Sequence, residues 1–156
     1  MHKENHNGIV SYRFAGLYGM GVTHAVLTRL GGVSRGPFAT LNLGHSVGDD
    51  LAAVRENHRR ALETLGLRHE RVVSTYQVHG ANVLAVNTAH TGTVQPAADG
   101  LLTTARGVAL LLRFADCAPF VLFDPLRQAV GLIHAGWRGA AGGVVTVSYT
   151  HLRAHE

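Results

Sequence analysis

Only one stretch of this chain carries a complete helical signature, and that restricts it to a mixed fold. Leu51, Val54, His58, Ala61, Leu62 and Leu65 recur at the spacing that lines one face of a helix. Asp49 or Asp50 stands where a side-chain cap is needed, and Gly66 stands where the helix should end. The rest reads largely as short strand-like runs. Residues 21–28 are rich in apolar and β-branched side chains, and residues 71–76 and 82–86 flank Gln77-Val78-His79-Gly80. Residues 108–114 are mostly apolar, as in a strand buried on both faces. Residues 120–123 and 129–133 enclose Asp124-Pro125-Leu126-Arg127, a turn sequence that predicts a hairpin. An Ala/Gly/Val segment after Gly139 is placed to begin a further helix. One clear helix among hairpin-like strands predicts an α+β fold.

Composition narrows the function classes. With 156 residues, 46% of them hydrophobic, the chain suits one domain with a real core and is too apolar to be disordered. No apolar run reaches the ~18–20 residues of a membrane span, and no signal peptide is read at the N-terminus. One cysteine, Cys117, excludes an internal disulfide, so a cytoplasmic protein is expected. The net charge is +4, but the basic residues are scattered, and their densest group (Arg55, His58, Arg59, Arg60) lies beside Glu56 and Glu63 on the expected helix. Small anionic substrates are therefore expected rather than nucleic acid, and a monomer is expected.

Three metal-capable side chains sit near the ends of expected strands. His79 follows the run from Arg71, Cys117 follows residues 108–114, and His134 follows residues 129–133. Strand ends on one sheet edge are where sites assemble, because loops there converge while the sheet holds them. Two imidazoles and a thiolate suit Zn²⁺, and three protein ligands leave a fourth position open, the pattern of catalytic zinc. The spacing matches no short zinc motif, so the expectation rests on the combination. Taken singly, each histidine also suits a half-buried structural place, and Cys117 suits a small core position.

The string His134-Ala135-Gly136-Trp137-Arg138-Gly139 adds a ligand-binding element. Its glycines let backbone approach a ligand, and Arg138 offers paired donors to a phosphate. The alternative is a tight turn with a surface arginine. Arg29, before Gly31-Gly32 in the Gly-rich loop of residues 29–38, is a second anion candidate. A loop of that length is commonly functional or mobile. Trp137 suits stacking on a base or filling the core.

Seven ordered strings carry a family resemblance: Thr28-Arg29-Leu30-Gly31-Gly32-Val33-Ser34, Leu41-Asn42-Leu43-Gly44, Val47-Gly48-Asp49-Asp50, Gln77-Val78-His79-Gly80, Ala98-Asp99-Gly100, Ala115-Asp116-Cys117-Ala118-Pro119 and His134-Ala135-Gly136-Trp137-Arg138-Gly139. They closely resemble the YfiH-like proteins, also described as laccase-domain or multicopper polyphenol oxidase proteins, from about residue 21 to residue 145. The resemblance implies a four-layer αββα sandwich with mixed sheets. It implies zinc on His79, Cys117 and His134, which with Arg138 form the expected catalytic set. Arg29, Gln77, Asp116 and Trp137 are the expected substrate-binding residues. It further implies phosphorolysis of adenosine, inosine and methylthioadenosine to base and ribose 1-phosphate, with adenosine deamination as an added activity. Members of the family continue beyond this chain's end. Residues 1–146 are therefore read as the N-terminal portion of one domain, and residues 147–156, which break the preceding pattern, as a non-native tail.

Two other chemistries use the same residues. A metal-free hydrolase would use Cys117 as nucleophile and His134 as base. A multicopper oxidase needs several coppers, typically on His-x-His pairs, and the 11 histidines here include no such pair. The nucleobase-deaminase signature of His-x-Glu with Pro-Cys-x-x-Cys is also absent.

Overall fold

A computed structural model describes residues 1–154. The chain divides into two compact units, Met1–His69 and Glu70–Glu156.

The first unit opens with a hairpin. Strand β1 (His2–His6) pairs antiparallel with β2 (Ile9–Arg13), in a register that sets His6 opposite Ile9. Asn7 and Gly8 make the two-residue turn, with φ +51 and +86, which matches the strong Asn-Gly preference of tight hairpins. The strand expected over residues 21–28 is only β3 (Val26–Leu27), paired with β2. Gly19 and Gly21, at φ +74 and +79, turn the chain just before it. The expected helix is α1 (Leu51–Thr64): the Asp50 carboxylate caps it by accepting from the Ala52 amide, and Gly66 follows its end at φ +64.

The Gly-rich loop is pinned to α1. Asn57 is fully buried, accepts from the Val33 amide at 2.8 Å, and donates to the Ser34 hydroxyl and to the carbonyls of Thr40 and Asn42. A Cβ at Gly32 would stand 2.1 Å from the Thr40 carbonyl oxygen, so only glycine fits there.

The second unit holds two sheets. Its strands are β4 (Val72–Thr75), β5 (Val83–Ala85), β6 (Thr93–Gln95), β7 (Gly100–Thr103), β8 (Ala109–Leu111), β9 (Ala118–Asp124) and β10 (Ala129–Ala135). One sheet is mixed, in the order β5-β7-β10-β9, with only the β5–β7 pair parallel. The other is parallel, in the order β6-β4-β8. Helices α2 (Trp137–Ala141) and α3 (Val144–Ala154) follow.

Alternation along the strands sorts the core into layers. Leu101 and Leu132 join Val73, Leu110 and Leu112 between the sheets, whereas Leu102 packs with Leu152 and Ile133 with Val144, both of α3. The second unit is thus layered helix, sheet, sheet, and the expected α+β class with a mixed sheet is found. The expected β9–β10 hairpin also forms, with Ala129 opposite Asp124.

The run at residues 108–114 departs from expectation. Only Ala109–Leu111 forms strand, and it is half-buried because β8 ends its sheet and has one partner, β4. Residues 147–154, set apart in the sequence, continue α3 and bury Ser148 and Leu152; residues 155 and 156 lie outside the described residues.

Candidate metal centre

His134 lies within a strand, one residue from its end rather than just after it, and the neighbouring strands carry its partners. On β10 it faces the same side as Leu132, toward the space between the sheets, and it is 3% exposed. Phe114 packs against its ring, with centroids 5.4 Å apart. Register sets His134 opposite Pro119 and Ala135 opposite Ala118, which brings Cys117, the residue before β9, to the same end of the hairpin. Cys117 therefore lies just before a strand rather than just after one.

His79 arrives from a turn beyond β4, and Asp99 holds it there. Asp99 precedes β7, the other neighbour of β10, and its carbonyl accepts from the His134 amide at 2.7 Å. Its buried carboxylate accepts from the amides of Val78, His79 and Gly80 at 3.2, 2.9 and 2.8 Å. Oδ1 also accepts from His134 Nδ1 at 2.8 Å. Burial pushes this carboxyl up, but the hydrogen bonds from the Gly80, Val78 and His79 amides and from His134 outweigh it and hold it below the ordinary carboxylate value.

The result is one group of ligand atoms. His79, Cys117 and His134 each offer one, and all three lie within 4.8 Å of one another. The two imidazoles meet edge to face, with centroids 4.9 Å apart. Tetrahedral bonds of ~2.0–2.3 Å set ligand atoms roughly 3.3–3.6 Å apart, so the three would close up by side-chain rotation to share one ion. His79 is exposed and Cys117 half-buried, so the group opens to solvent on one side. Gly136 makes room: a Cβ there would stand 2.9 Å from His79 Cδ2 and 3.2 Å from Cys117 Sγ.

Cys117 Sγ lies 3.5 Å from Asp116 Oδ1. Burial, the Asp116 contact, and the charges of Asp116 and Asp99 push its thiol above the ordinary value. Two imidazoles and a sulfur form a donor set suited to Zn²⁺.

The remaining sequence candidates are placed as follows. Trp137 and Arg138 open α2 directly beyond Gly136, both exposed, and Trp137 at 81% exposure fills no core. The Arg138 carbonyl accepts from the Gly142 amide at 2.8 Å, while its guanidinium shows no hydrogen bond or ion pair among the described residues. Gln77 is committed to backbone: its carboxamide donates to the Arg113 carbonyl at 2.7 Å and accepts from the Arg113 amide at 2.9 Å, tying the His79 turn to the segment that leads to Cys117. Arg29 belongs to the first unit, where its guanidinium donates to the Ala39 carbonyl. Asp99, Phe114 and Gly136 were not among the expected site residues.

Fold and site together define an α+β protein whose strand-end His, Cys and His form a candidate metal centre. Over residues 23–156 the chain matches the family described as multi-copper polyphenol oxidoreductase laccase, and it belongs to that family. It is 46% identical over 131 residues to the protein named purine nucleoside phosphorylase YlmD of Geobacillus stearothermophilus, covering 80% of this chain and 48% of that one. It is 44% identical over 142 residues to purine nucleoside phosphorylase ORF3 of Streptomyces griseus, covering 90% and 57%. The crystal structure of the Geobacillus YlmD superposes with a TM-score of 0.83 at 41% identity, covering 90% of this chain and 54% of that one. That of the Bacillus licheniformis hypothetical protein YfiH superposes at 0.87 and 29% identity, covering 96% and 57%. The chain spans about half the length of the curated relatives it matches.

Proposed function

We propose that this chain supplies the zinc centre of a cytoplasmic purine nucleoside phosphorylase acting on adenosine, inosine and methylthioadenosine, with adenosine deamination as an added activity. The observation that carries the reading is the convergence of His79, Cys117 and His134 within 4.8 Å, open on one side. The relatives' name points the same way. No helix among the described residues is long and apolar enough to cross a membrane.

In phosphorolysis a phosphate oxygen bonds to the anomeric carbon as the glycosidic carbon–nitrogen bond breaks. The bonding pair leaves with the base, which takes up a proton. This chain's residues bind and orient in that scheme. Arg138, exposed and with a guanidinium unpaired among the described residues, offers paired donors to phosphate, and Trp137 beside it offers an exposed ring to a purine. His79, Cys117 and His134 hold the ion. Bound there, Zn²⁺ supplies a Lewis acid that polarises a substrate oxygen or lowers the pKa of water.

A metal-free hydrolase would use the same Cys117 and His134, so removal of the metal is what separates the two readings. Copper oxidation needs several coppers, and among the described residues one His/Cys group is suited to a metal. The test is inosine with phosphate, supplied to the zinc-loaded chain and to His79→Ala. Hypoxanthine should form only with phosphate, with zinc and with His79 present. Base release that survives chelation would favour the thiol hydrolase, and no release from a full-length homologue carrying one zinc would end the phosphorylase reading.

A further inference from the structure

We infer that Asp99 is a positioning residue that presets the metal centre: it fixes which nitrogen of His134 is free for the ion and holds the turn that presents His79. The inference rests on the zinc reading for the ion's identity and on hydrogen-bond geometry for the rest. Asp99 is 0% exposed. Its Oδ1 takes bonds from His134 Nδ1 and the His79 amide, and its Oδ2 from the amides of Gly80 and Val78. Three of these donors are backbone N–H groups, which can only donate.

The fourth contact sets the tautomer. An ionised carboxylate has no proton to give, so a neutral His134 must carry its hydrogen on Nδ1. The lone pair on Nε2 is then the one left for a metal. The same carboxylate gathers three successive amides of the His79 turn. His79 itself sits at φ +60, a left-handed conformation that a side-chain-bearing residue keeps only when its surroundings impose it. One buried side chain thus sets both imidazoles.

Asparagine has the shape of Asp99 but the wrong hydrogen count. Turned one way, its NH₂ meets the Val78 and Gly80 amides, which cannot accept. Turned the other way it meets the His79 amide and His134, and the imidazole restores a bond only by moving its hydrogen to Nε2. That places a proton on the nitrogen the ion requires.

The test compares wild type with Asp99→Asn. Zinc dissociation constants come from competition with a chromophoric chelator, and the His134 tautomer of the metal-free wild type comes from long-range ¹H–¹⁵N NMR. The expected result is an Nδ1–H tautomer, with zinc bound about 10–100-fold more weakly by the variant. An equal dissociation constant in a folded variant, or an Nε2–H tautomer in the wild type, would overturn the inference. A merely structural role for Asp99 would leave the tautomer unset. If the variant does not fold, the wild-type tautomer still decides. A wild type that takes up no zinc yet holds His134 as Nδ1–H would end the zinc reading and uphold the role of Asp99 in setting the ring.

Discussion

Replacing Gly136 by alanine tests whether the three ligands meet where their atoms lie. Gly136 sits at φ −74, ψ 168, a conformation alanine adopts freely, so the substitution acts through its methyl group alone. That methyl would stand 2.9 Å from His79 Cδ2 and 3.2 Å from Cys117 Sγ. Carbon atoms settle at ~3.5–4.0 Å, so the His79 ring must retreat by roughly 0.6 Å or more. A metal site tolerates only about 0.2 Å in its bond lengths. Overpacking on this scale costs about 1–3 kcal/mol. At about 1.4 kcal/mol per tenfold, the Kd for zinc should rise roughly 5- to 140-fold. Chelator competition gives the Kd, and thermal unfolding in the presence of EDTA shows whether the metal-free variant still folds. A folded G136A protein with the Kd of the wild type would refute the reasoning, because ligands that avoid an added methyl at Gly136 are not arranged around it.

Further predictions follow from single contacts. Asn57→Ala should lower stability by about 2 kcal/mol or more, since the part-buried Val33 amide and Asn42 carbonyl each lose a partner at about 1–3 kcal/mol while the Thr40 carbonyl keeps the Ser34 amide; an unmoved urea midpoint would show that the Gly-rich loop does not depend on α1. Glu56 accepts from Arg59 and Arg60, which hold its carboxyl at about 2 against an ordinary 4.5. Because the folded value is the lower one, the pair's stabilisation is full above pH 4.5 and fades as pH falls toward 2, so Glu56→Gln should flatten a urea titration in that window; parallel acid profiles would contradict it. Trp137→Ala should change stability by less than about 0.5 kcal/mol, as expected for a ring 81% exposed, while raising KM for inosine under the proposed phosphorylase activity; a large fall in thermal midpoint would assign Trp137 to the core instead.

What the sequence made legible depends on how local the cause is. Helix α1 is set by its own spacing, its Asp50 cap and Gly66, all within the segment, so its limits were readable. The β9–β10 hairpin was readable because its turn, anchored by Asp124, directly joins its strands; the Asp124 carboxylate accepts from the Leu126 and Arg127 amides. The β1–β2 hairpin carries an equally local sign in Asn7-Gly8, yet its polar strand β1 has no apolar alternation to announce it. Residues 108–114 misled because an apolar run reports burial, not pairing, and whether β8 lies inside a sheet or at its edge is decided by distant strands.

The candidate centre divides along the same line. Its donors could be named from residue type and position near strand ends, since few side chains besides His and Cys suit zinc. Their convergence could not be read, because β10 lies between β7 and β9 and only that order brings Asp99 and Cys117 to His134. Asp99, legible only within the family string Ala98-Asp99-Gly100, is not marked there as a site residue for a related reason. In sequence it resembles any turn aspartate, set between Ala98 and Gly100, and Asp124 shows what such a residue does when its bonds stay local. The difference is distance along the chain. Asp124 bonds within three residues, whereas Asp99 reaches 20 residues back to His79 and 35 forward to His134. A buried carboxylate that bonds only across such spans has no local part in the turn and serves the segments it joins. That is why a residue visible in the sequence only within Ala98-Asp99-Gly100 is the one that bonds to both histidine segments.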